Sequence, residues 1–314
     1  MVSWACLAGP AVVALAVATR FEGPLPLMWA VSATPLVLLP AYPVLLTAVL
    51  TRRLALVAVA AAVVATHVAL VLPSIAPLSD RPAAAAEGAG SASRPLRLLT
   101  ANLFFGNRQV GQSATRILSA DADIVLLQEV TPGQLPDLQP LLSAYPYTFV
   151  RPDGGALGFA VLSRHPFSEA DEELIGGHPF ARVSIDIAGQ RLQVWNVHPP
   201  APRDNASRRI LVEQLSELAE AAKTSDGPLV VAGDFNTTKW TPEFGRLSTS
   251  GLADAHQVTG RGLAATWPAN GSLPPFLLLD HVLVSRELSV NSVMELPAGG
   301  SDHRPVIADL ALNL

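Results

Sequence analysis

Polar and charged side chains follow several apolar segments of the sequence, at the point where each segment ends. The segments RLLTAN, DIVLLQE, LQVWNVH and LVVAGDFN each finish on or beside an amide, a carboxylate or an imidazole. The residues at these ends, and in two short clusters further along, are Asn102, Glu129, His198, Asp234, Asn236, Asp280, Asp302 and His303. Because α/β folds collect ligand-binding and catalytic groups at the ends of strands, we expect these side chains to lie together.

The types of side chain in this set define the chemistry they can perform. Hard divalent cations prefer carboxylate and amide oxygens, and the set holds both. Phosphoester hydrolysis also needs a base for water, donors for the developing charge, and an imidazole beside an acid. One carboxylate after an apolar run is usually a solvated strand end, but this complementary set favours a divalent-metal-dependent phosphoester hydrolase. The G-x-S-x-G and H-E-x-x-H motifs of other hydrolases are absent from the sequence.

Strand and helix patterns alternate after Arg97, and these elements must position the set. Apolar spacing predicts helices over Gln109–Ala120 and Asn205–Lys223. Short apolar runs predict strands at 97–102, 123–130, 158–163, 182–187, 191–198, 229–235, 281–285 and 305–312. Gly189-Gln190 is a hairpin signal between two of them. The mixture of hairpins and crossover helices predicts an α/β sandwich of two packed sheets.

Eight segments of this region occur in an order typical of one protein family. They are TANLFFGN, DIVLLQEV, GFAVLSRHPF, VWNVHPP, VVAGDFNTT, ATWP, LLDHVLVS and GGSDHRPV. From about Arg97 to the end, the chain resembles the endonuclease/exonuclease/phosphatase superfamily, which has the DNase I-like fold. The resemblance implies a four-layered α/β/β/α sandwich that uses Mg²⁺ or Mn²⁺.

The resemblance also implies a metal site. Glu129 matches the principal metal carboxylate of the family. Asn102 and Asp302 match the residues that complete or support that site. We therefore expect the divalent ion at these three side chains.

The remaining site residues match catalytic positions of the family. Asp234 resembles the residue that orients or deprotonates the attacking water, and Asn236 resembles the adjacent phosphate-binding amide. His303 resembles the essential C-terminal histidine, with Asp280 as its orienting acid. His198 matches the second histidine, which donates toward a phosphate oxygen or the leaving group. The sequence leaves open how Asp234, His198 and His303 divide the base and acid duties.

Three uncharged apolar runs precede the catalytic region, at Met1–Thr19, Gly23–Leu50 and Leu54–Ser79. Each has about the 20 residues that a membrane-crossing helix needs, which predicts a membrane anchor over residues 1–79. We expect three transmembrane helices. Prolines interrupt the second run, so the alternative is two spans and a re-entrant segment. Arg52 and Arg53 lie between the second and third runs, so the positive-inside rule places the following domain outside the cytoplasm.

Residues 80–96, rich in Ala, Gly, Ser and Pro, are typical of a flexible linker between the anchor and a catalytic domain over 97–314. From Arg97 onward, 16 Lys and Arg face 23 Asp and Glu, a formal net charge of −7. Nucleic-acid binding normally uses a basic face, so this balance disfavours nucleic acid as a partner without excluding it. We expect no obligate protein partner.

The anchor narrows the expected substrate. A catalytic domain held at a bilayer meets lipid-linked phosphate or diphosphate at raised effective concentration. The layout also resembles membrane proteins of actinobacterial teicoplanin resistance, which implies undecaprenyl diphosphate or a related precursor. The alternatives are an extracellular nuclease, a phospholipase C-like phosphodiesterase of sphingomyelin or phosphoinositides, and a catalytically inactive membrane scaffold.

Several other residues have a structural interpretation. Trp267 in ATWP is expected to be a structural plug, and His281 is expected on the opposite strand face from Asp280. Surface or loop positions are expected for His165, His178 and His256.

Overall fold

A computed structural model describes residues 2–77, 94–175 and 177–313 of the chain. The helices are α1 (Val2–Thr19), α2 (Leu25–Ser32), α3 (Thr34–Val37), α4 (Ala41–Leu50), α5 (Leu54–Ile75), α6 (Val110–Ser119), α7 (Leu135–Leu142), α8 (Asn205–Thr224), α9 (Pro242–Ser248) and α10 (Ala255–Val258). The strands are β1 (Arg94–Asn102), β2 (Ile124–Gln128), β3 (Tyr147–Arg151), β4 (Phe159–Ser163), β5 (Phe167–Ile175), β6 (His178–Ile187), β7 (Gln190–Val197), β8 (Leu229–Asp234), β9 (Ala253–Asp254), β10 (Asp280–Val284), β11 (Leu288–Glu295) and β12 (Val306–Leu312).

The strands form two mixed sheets of six strands each. The first has the order β11-β12-β1-β2-β4-β3, and the second has the order β5-β6-β7-β8-β10-β9. Each sheet contains one parallel pair, β1 with β2 and β7 with β8. Parallel neighbours need a crossover connection, and α6 and α8 provide the two crossovers. The predicted α/β sandwich of two sheets is confirmed.

The apolar side chains divide the catalytic domain into four layers. The largest core cluster lies between the sheets and includes Leu98, Ile124, Val194 and Val282. A second cluster packs α6 and α7 on the outer face of the first sheet. A third packs α8 and α9 on the outer face of the second. Alternation along the strands produces this arrangement, because successive side chains point to opposite faces.

The predicted boundaries of individual elements need small corrections. The helix predicted over Asn205–Lys223 runs from Asn205 to Thr224, and Asp204 caps it by accepting from the backbone N–H of Ser207. Strand β1 begins at Arg94, so residues 94–96 belong to the sheet rather than to the predicted linker. Pairing with β12 is the reason, since Arg94 lies opposite Leu312. The remainder of the predicted linker, 80–93, lies outside the described residues.

The N-terminal region is helical, but it contains fewer candidate spans than the sequence predicts. Only α5 is by itself long and apolar enough to cross a membrane among the described helices. The second apolar run is broken into α2, α3 and α4 and bent by 85°, so it counts as a second span only if the bent pair is one span. Prolines lie inside or before these short helices and remove backbone donors. The apolar helix Trp4–Thr19 is too short to count as a full span. By length and composition, the described helices therefore provide one span or at most two, not the three that the sequence predicts.

Candidate active site

The polar residues predicted from the strand ends converge at one edge of the sandwich. Asn102 ends β1 and Glu129 directly follows β2, while His198 follows β7 and Asp234 ends β8. These four strands lie in the middle of their sheets and form the two parallel pairs. Asp280 begins the antiparallel strand β10 directly opposite Asp234. The ends of the two parallel pairs, one in each sheet, therefore bring residues distant in sequence to the same end of the sandwich.

Asn102 links the two sheets at the centre of the site. Its Nδ2 donates to Glu129 Oε1 at 3.0 Å and to Asp234 Oδ2 at 2.9 Å. Its Oδ1 accepts from the backbone N–H of Phe104 at 2.9 Å. The side chain is 1% exposed, so one amide fixes the relative positions of two carboxylates from different sheets.

Two site residues adopt backbone conformations that are unusual for residues with a side chain. Glu129 has φ of 59° and Asn236 has φ of 50°. Hydrogen bonds hold both in place: Phe105 N–H donates to Glu129 Oε2 at 2.8 Å, and Asn236 N–H donates to Asp234 Oδ1 at 2.8 Å. Left-handed conformations of this kind cost free energy and cluster at functional sites. The side-chain amide of Asn236 is also held, since Nδ2 donates to Pro199 O at 2.9 Å.

His303 is buried and lies between two carboxylates. Its Nδ1 lies 2.8 Å from Asp280 Oδ2, and its Nε2 lies 3.5 Å from Asp234 Oδ2. Burial alone would lower the pKa of His303, but the charges of Asp280 and Asp234 outweigh it and raise the pKa to about 10. Ser301 positions this segment, because its Oγ accepts from His303 N–H and donates to Asn102 O. No sequence pattern predicts this role of Ser301.

His198 approaches the same carboxylates from the other side. Its Nδ1 donates to Ala156 O at 3.0 Å, and its Nε2 lies 3.5 Å from Asp234 Oδ2 and 3.7 Å from Glu129 Oε1. Burial opposes its charge, yet the two carboxylates and the carbonyl raise its pKa. Burial likewise opposes the charge of Asp234, but the two imidazoles lower its pKa to about 2. Asp234 is therefore an ionised acceptor between two N–H donors.

Asp302 is partly exposed, whereas its neighbours Ser301 and His303 are buried. Burial, and then the nearby charge of Glu129, raise its pKa, whereas the charge of His303 and, less strongly, the neighbouring Trp267 side chain oppose this rise. Trp267, predicted as a structural plug, therefore also contacts a candidate metal ligand. Indole donors carry no sequence pattern that would reveal such a partner.

The donor set fits a divalent cation. Glu129 and Asp302 are close enough for the charge of one to disfavour ionisation of the other, and a bound cation would relieve this repulsion. The Asn102 amide supports this pair by donating to Glu129 Oε1, and the carboxylate oxygens match the preference of Mg²⁺ and Mn²⁺. Asp234, Asp280 and His303 also form a compact group. A protonated His303 already donates to Asp280 and has no lone pair for a metal, so Glu129 and Asp302, with Asn102 in support, form the better metal site.

A second buried polar cluster lies on the other face of β10. His281 Nδ1 contacts Asp254 Oδ2 at 2.8 Å, so His281 points away from Asp280 as predicted. The prediction for His256 is wrong, because this side chain is fully buried and its Nε2 lies 3.2 Å from Glu295 Oε1. The acid partners come from β9 and β11, and their distance along the chain hid the burial of His256 from the sequence.

The two six-stranded sheets, their covering helices and this acid–imidazole site define a phosphoesterase with a DNase I-like sandwich. The Endonuclease/Exonuclease/phosphatase family matches residues 99–303, and the chain belongs to that family. Its members are metal-dependent phosphohydrolases and nucleases, and this chain is an enzyme of that class.

Two curated relatives and several solved structures are similar to this chain. A UPF0294 protein of Vibrio parahaemolyticus is 26% identical over 233 residues, which are 69% of this chain and 78% of the relative. A UPF0294 protein of Vibrio campbellii is 25% identical over 235 residues, with the same shares covered. The endonuclease/exonuclease/phosphatase structure from Beutenbergia cavernae matches with a TM-score of 0.57 and 24% identity, over 70% of this chain and 72% of that one. D. rerio TDP2 in complex with a single-strand DNA product matches with a TM-score of 0.57 and 16% identity, over 69% and 98%. These structures share the fold.

Proposed function

We propose that this chain is a membrane-anchored, Mg²⁺-dependent hydrolase of lipid-linked phosphate or diphosphate, with undecaprenyl diphosphate as the representative substrate. The observation that carries the proposal is where the apolar helices meet the catalytic domain. Trp29 Nε1 in α2 donates to Pro202 O at 3.1 Å, on the loop that follows His198. Thr238 Oγ1, on the loop that follows Asn236, donates to Ser32 O at 3.1 Å. The loops after His198 and Asn236 thus both rest on the apolar helices.

This contact has a consequence for the choice of substrate. Further bonds join the two parts, including Gly262 N–H to Ser74 O at 2.8 Å and an ion pair between Arg246 and Glu22. The catalytic domain is thereby held against helices that carry large exposed apolar side chains, such as Leu46 and Leu50. Exposed apolar surface of this kind favours a membrane contact. A site beside it meets phosphates at the bilayer surface rather than free in solution.

Glu129 and Asp302 would hold the metal ion, with Asn102 supporting the Glu129 carboxylate. When bound, a divalent ion neutralises phosphate charge and lowers the pKa of bound water. The backbone N–H of Phe105 and the Asn102 amide fix the Glu129 carboxylate in one orientation. This fixed geometry reduces the reorganisation that substrate binding would otherwise require.

The imidazoles and Asp234 would act on water and phosphate. Asp234, ionised because its pKa is low, accepts a hydrogen bond from the attacking water and orients it. His198 and His303, whose pKa values are raised, donate N–H groups to the phosphate and to the departing oxygen. Asp280 fixes the ring of His303, and Asn236 adds an amide beside the phosphate. We assign base and acid duties to these groups as a set.

The orientation of the anchor completes the proposal. Arg52 and Arg53 follow α4 and precede α5, and clustered positive charge remains cytoplasmic. The catalytic domain would then face outward from a multi-pass anchor. Apolar helices followed by this domain resemble the layout of the teicoplanin-resistance protein VanJ, which favours a cell-envelope lipid diphosphate.

A phosphate-release assay with detergent-solubilised full-length protein, Mg²⁺ and undecaprenyl diphosphate tests the proposal. We expect Mg²⁺-dependent release of inorganic phosphate, reduced by at least about 100-fold in Glu129→Ala and His303→Ala. Glu220→Ala is the matched control, because Glu220 lies on the surface of α8 and pairs only with Lys223 in the described structure. Its activity should equal that of the wild type.

Different products would identify the alternatives. Rapid plasmid nicking without release of phosphate from the lipid would indicate a nuclease, against the net charge of the domain. Release of a phosphorylated headgroup from sphingomyelin or a phosphoinositide would indicate a phospholipase C-like enzyme. Either result would overturn the lipid diphosphate assignment.

A further inference from the structure

A cavity of about 270 Å³ lies where the apolar helices meet the catalytic domain. Its helical wall comes from Ser32, Pro35 and Leu36. Its other walls come from the loops at 238–240, 262–265 and 275–278. The first of these loops is the continuation of the segment that carries Asp234 and Asn236. The cavity therefore borders both the membrane-facing helices and the strand end that supplies the candidate site.

One charged side chain, Lys239, lines this cavity. Its ammonium bonds to Ser74 Oγ and lies 4.3 Å from the ring centroid of Trp240. Within the described residues, no carboxylate oxygen lies within 4 Å of it. Burial lowers the pKa of Lys239 to about 8, although the more distant Asp254 opposes this. A half-buried cation without a paired acid is costly, and an anionic ligand would offset that cost.

The rim of the cavity is apolar and exposed. Leu36 is 47% exposed, Leu263 is 42% exposed and Phe276 is 38% exposed, and all three line the cavity. They come from α3 and from two separate loops of the catalytic domain. Large apolar side chains that converge around one opening form a surface for a hydrocarbon ligand.

Two aromatic side chains, Phe276 and Trp267, lie between the cavity and the candidate metal ligand Asp302. The ring of Phe276 contacts the ring of Trp267, with 6.1 Å between centroids. The Trp267 segment is bonded to Asp302, since Ala269 N–H donates to Asp302 O at 2.8 Å. A ligand that covers Phe276 therefore lies one aromatic side chain away from the residue that touches Asp302. The cavity is therefore connected to the segment of the candidate metal ligand through Phe276 and Trp267.

We propose that this cavity binds the membrane-proximal end of a lipid phosphate, with the hydrocarbon chain against Leu36, Leu263 and Phe276 and a phosphate paired with Lys239. The inference rests on the proposed function and deepens it. The site would select a prenyl or acyl chain joined to an anionic phosphate. Lys239 would pair with a phosphate that stays on the lipid.

The two lysines of the sequence make a direct binding test available. Lys239 lines the cavity, whereas Lys223 lies on the surface of α8 and pairs with Glu220. Full-length protein in detergent is treated with an acetylating reagent at pH 8, and acetylation of each lysine is followed by mass spectrometry. Farnesyl phosphonate, a non-hydrolysable prenyl phosphate analogue, is the probe. We expect it to slow acetylation of Lys239 by about fivefold or more, and to leave Lys223 unchanged.

Two controls separate the parts of the ligand. Inorganic phosphate and farnesol, each at the probe concentration, should protect Lys239 far less than the probe. Equal acetylation rates with and without the probe would overturn the inference. Equal protection by inorganic phosphate alone would do so too, because the chain would then contribute nothing.

Kinetics provide a second, independent readout. Lys239→Gln should raise KM for undecaprenyl diphosphate by about tenfold or more, since a charged hydrogen bond is lost. The rise should be clearly smaller for the chainless substrate bis-p-nitrophenyl phosphate, and Lys239→Arg should restore much of the loss. Lys223→Gln is the control with unchanged KM.

The outcomes distinguish the two proposals. If the wild type hydrolyses the lipid diphosphate and Lys239→Gln has a wild-type KM, the cavity assignment is wrong and the function stands. If farnesyl phosphonate protects Lys239 but the lipid diphosphate is not hydrolysed, the lipid site stands and the assigned reaction is wrong.

Discussion

The bond between Asp280 and His303 can be weakened without a change of side-chain shape. Asp280→Asn replaces a fully buried carboxylate, whose Oδ2 lies 2.8 Å from His303 Nδ1. The amide is neutral and can present an N–H toward Nδ1. The His303 ring then loses the charge that favours its imidazolium form, and its neutral form places the proton on Nε2 beside Asp234.

The size of the effect follows from the distance and the burial. At an effective dielectric constant of about 20, a charge pair at 2.8 Å has about 6 kcal/mol of Coulomb attraction. Desolvation offsets part of this, and removal of one partner of a buried pair typically costs about 3–5 kcal/mol. If the transition state loses that amount, kcat/KM falls by roughly 100-fold to 5,000-fold.

The assay is kcat/KM for bis-p-nitrophenyl phosphate with Mg²⁺ between about pH 5.5 and 10. Activity that requires the His303 imidazolium should persist to high pH in the wild type, since its pKa is raised to about 10. In Asp280→Asn the decline should move toward the ordinary histidine pKa, about 6.5. The matched control is Asp309→Asn, which breaks the exposed ion pair with Arg97 and should cost less than about 1 kcal/mol of stability.

The reasoning is refuted if Asp280→Asn stays within about threefold of the wild type at every pH. It is also refuted if activity falls without any shift of the pH profile, because His303 would then not be the group that Asp280 controls. Thermal melts of both variants separate loss of folding from loss of catalysis.

Three further outcomes follow from the same structure. Glu129→Gln should raise the Mg²⁺ concentration for half-maximal activity by at least about tenfold; an unchanged metal titration would remove Glu129 from the metal site. In EDTA, the raised pKa of His303 contributes stability that is fully present below about pH 6.5 and is lost as pH rises toward 10. Urea melts at several pH values measure this decline. Its absence in the wild type, or an equal decline in His303→Gln, would contradict the prediction. Gly233→Ala should lower the free energy of unfolding by about 3 kcal/mol or more, because a Cβ there would lie 1.9 Å from Val197 O. Gly111→Ala in α6, where a Cβ meets nothing within 4 Å, should be neutral or stabilising.

The fold and most of the site could be predicted because their signals are local. A strand of alternating or continuous apolar residues is recognisable from five or six positions, and its polar end marks the sheet edge. Asn102 and Asp234 were found in this way. The helix beginning at Asn205 was found by its periodicity, and Asp204 caps it.

Contacts between distant segments could not be predicted in the same manner. Burial of His256 depends on Glu295, which pairing places on a strand far along the chain. The approach of Trp267 to Asp302 depends on the path of an irregular loop. The spacing of residues along the sequence predicts neither contact, because it carries no information about the direction of a side chain.

The sequence by itself determined the class of chemistry, because the types of residue at the strand ends decide which ligands and proton transfers are available. Tertiary structure decided how those residues work together. Asn102 bridges carboxylates from two sheets, and His303 lies between Asp280 and Asp234. The tertiary structure also places the apolar helices directly against the loops after His198 and Asn236. The physical reason is that hydrogen bonds act over about 3 Å, a scale that only the packing of sheets and helices fixes.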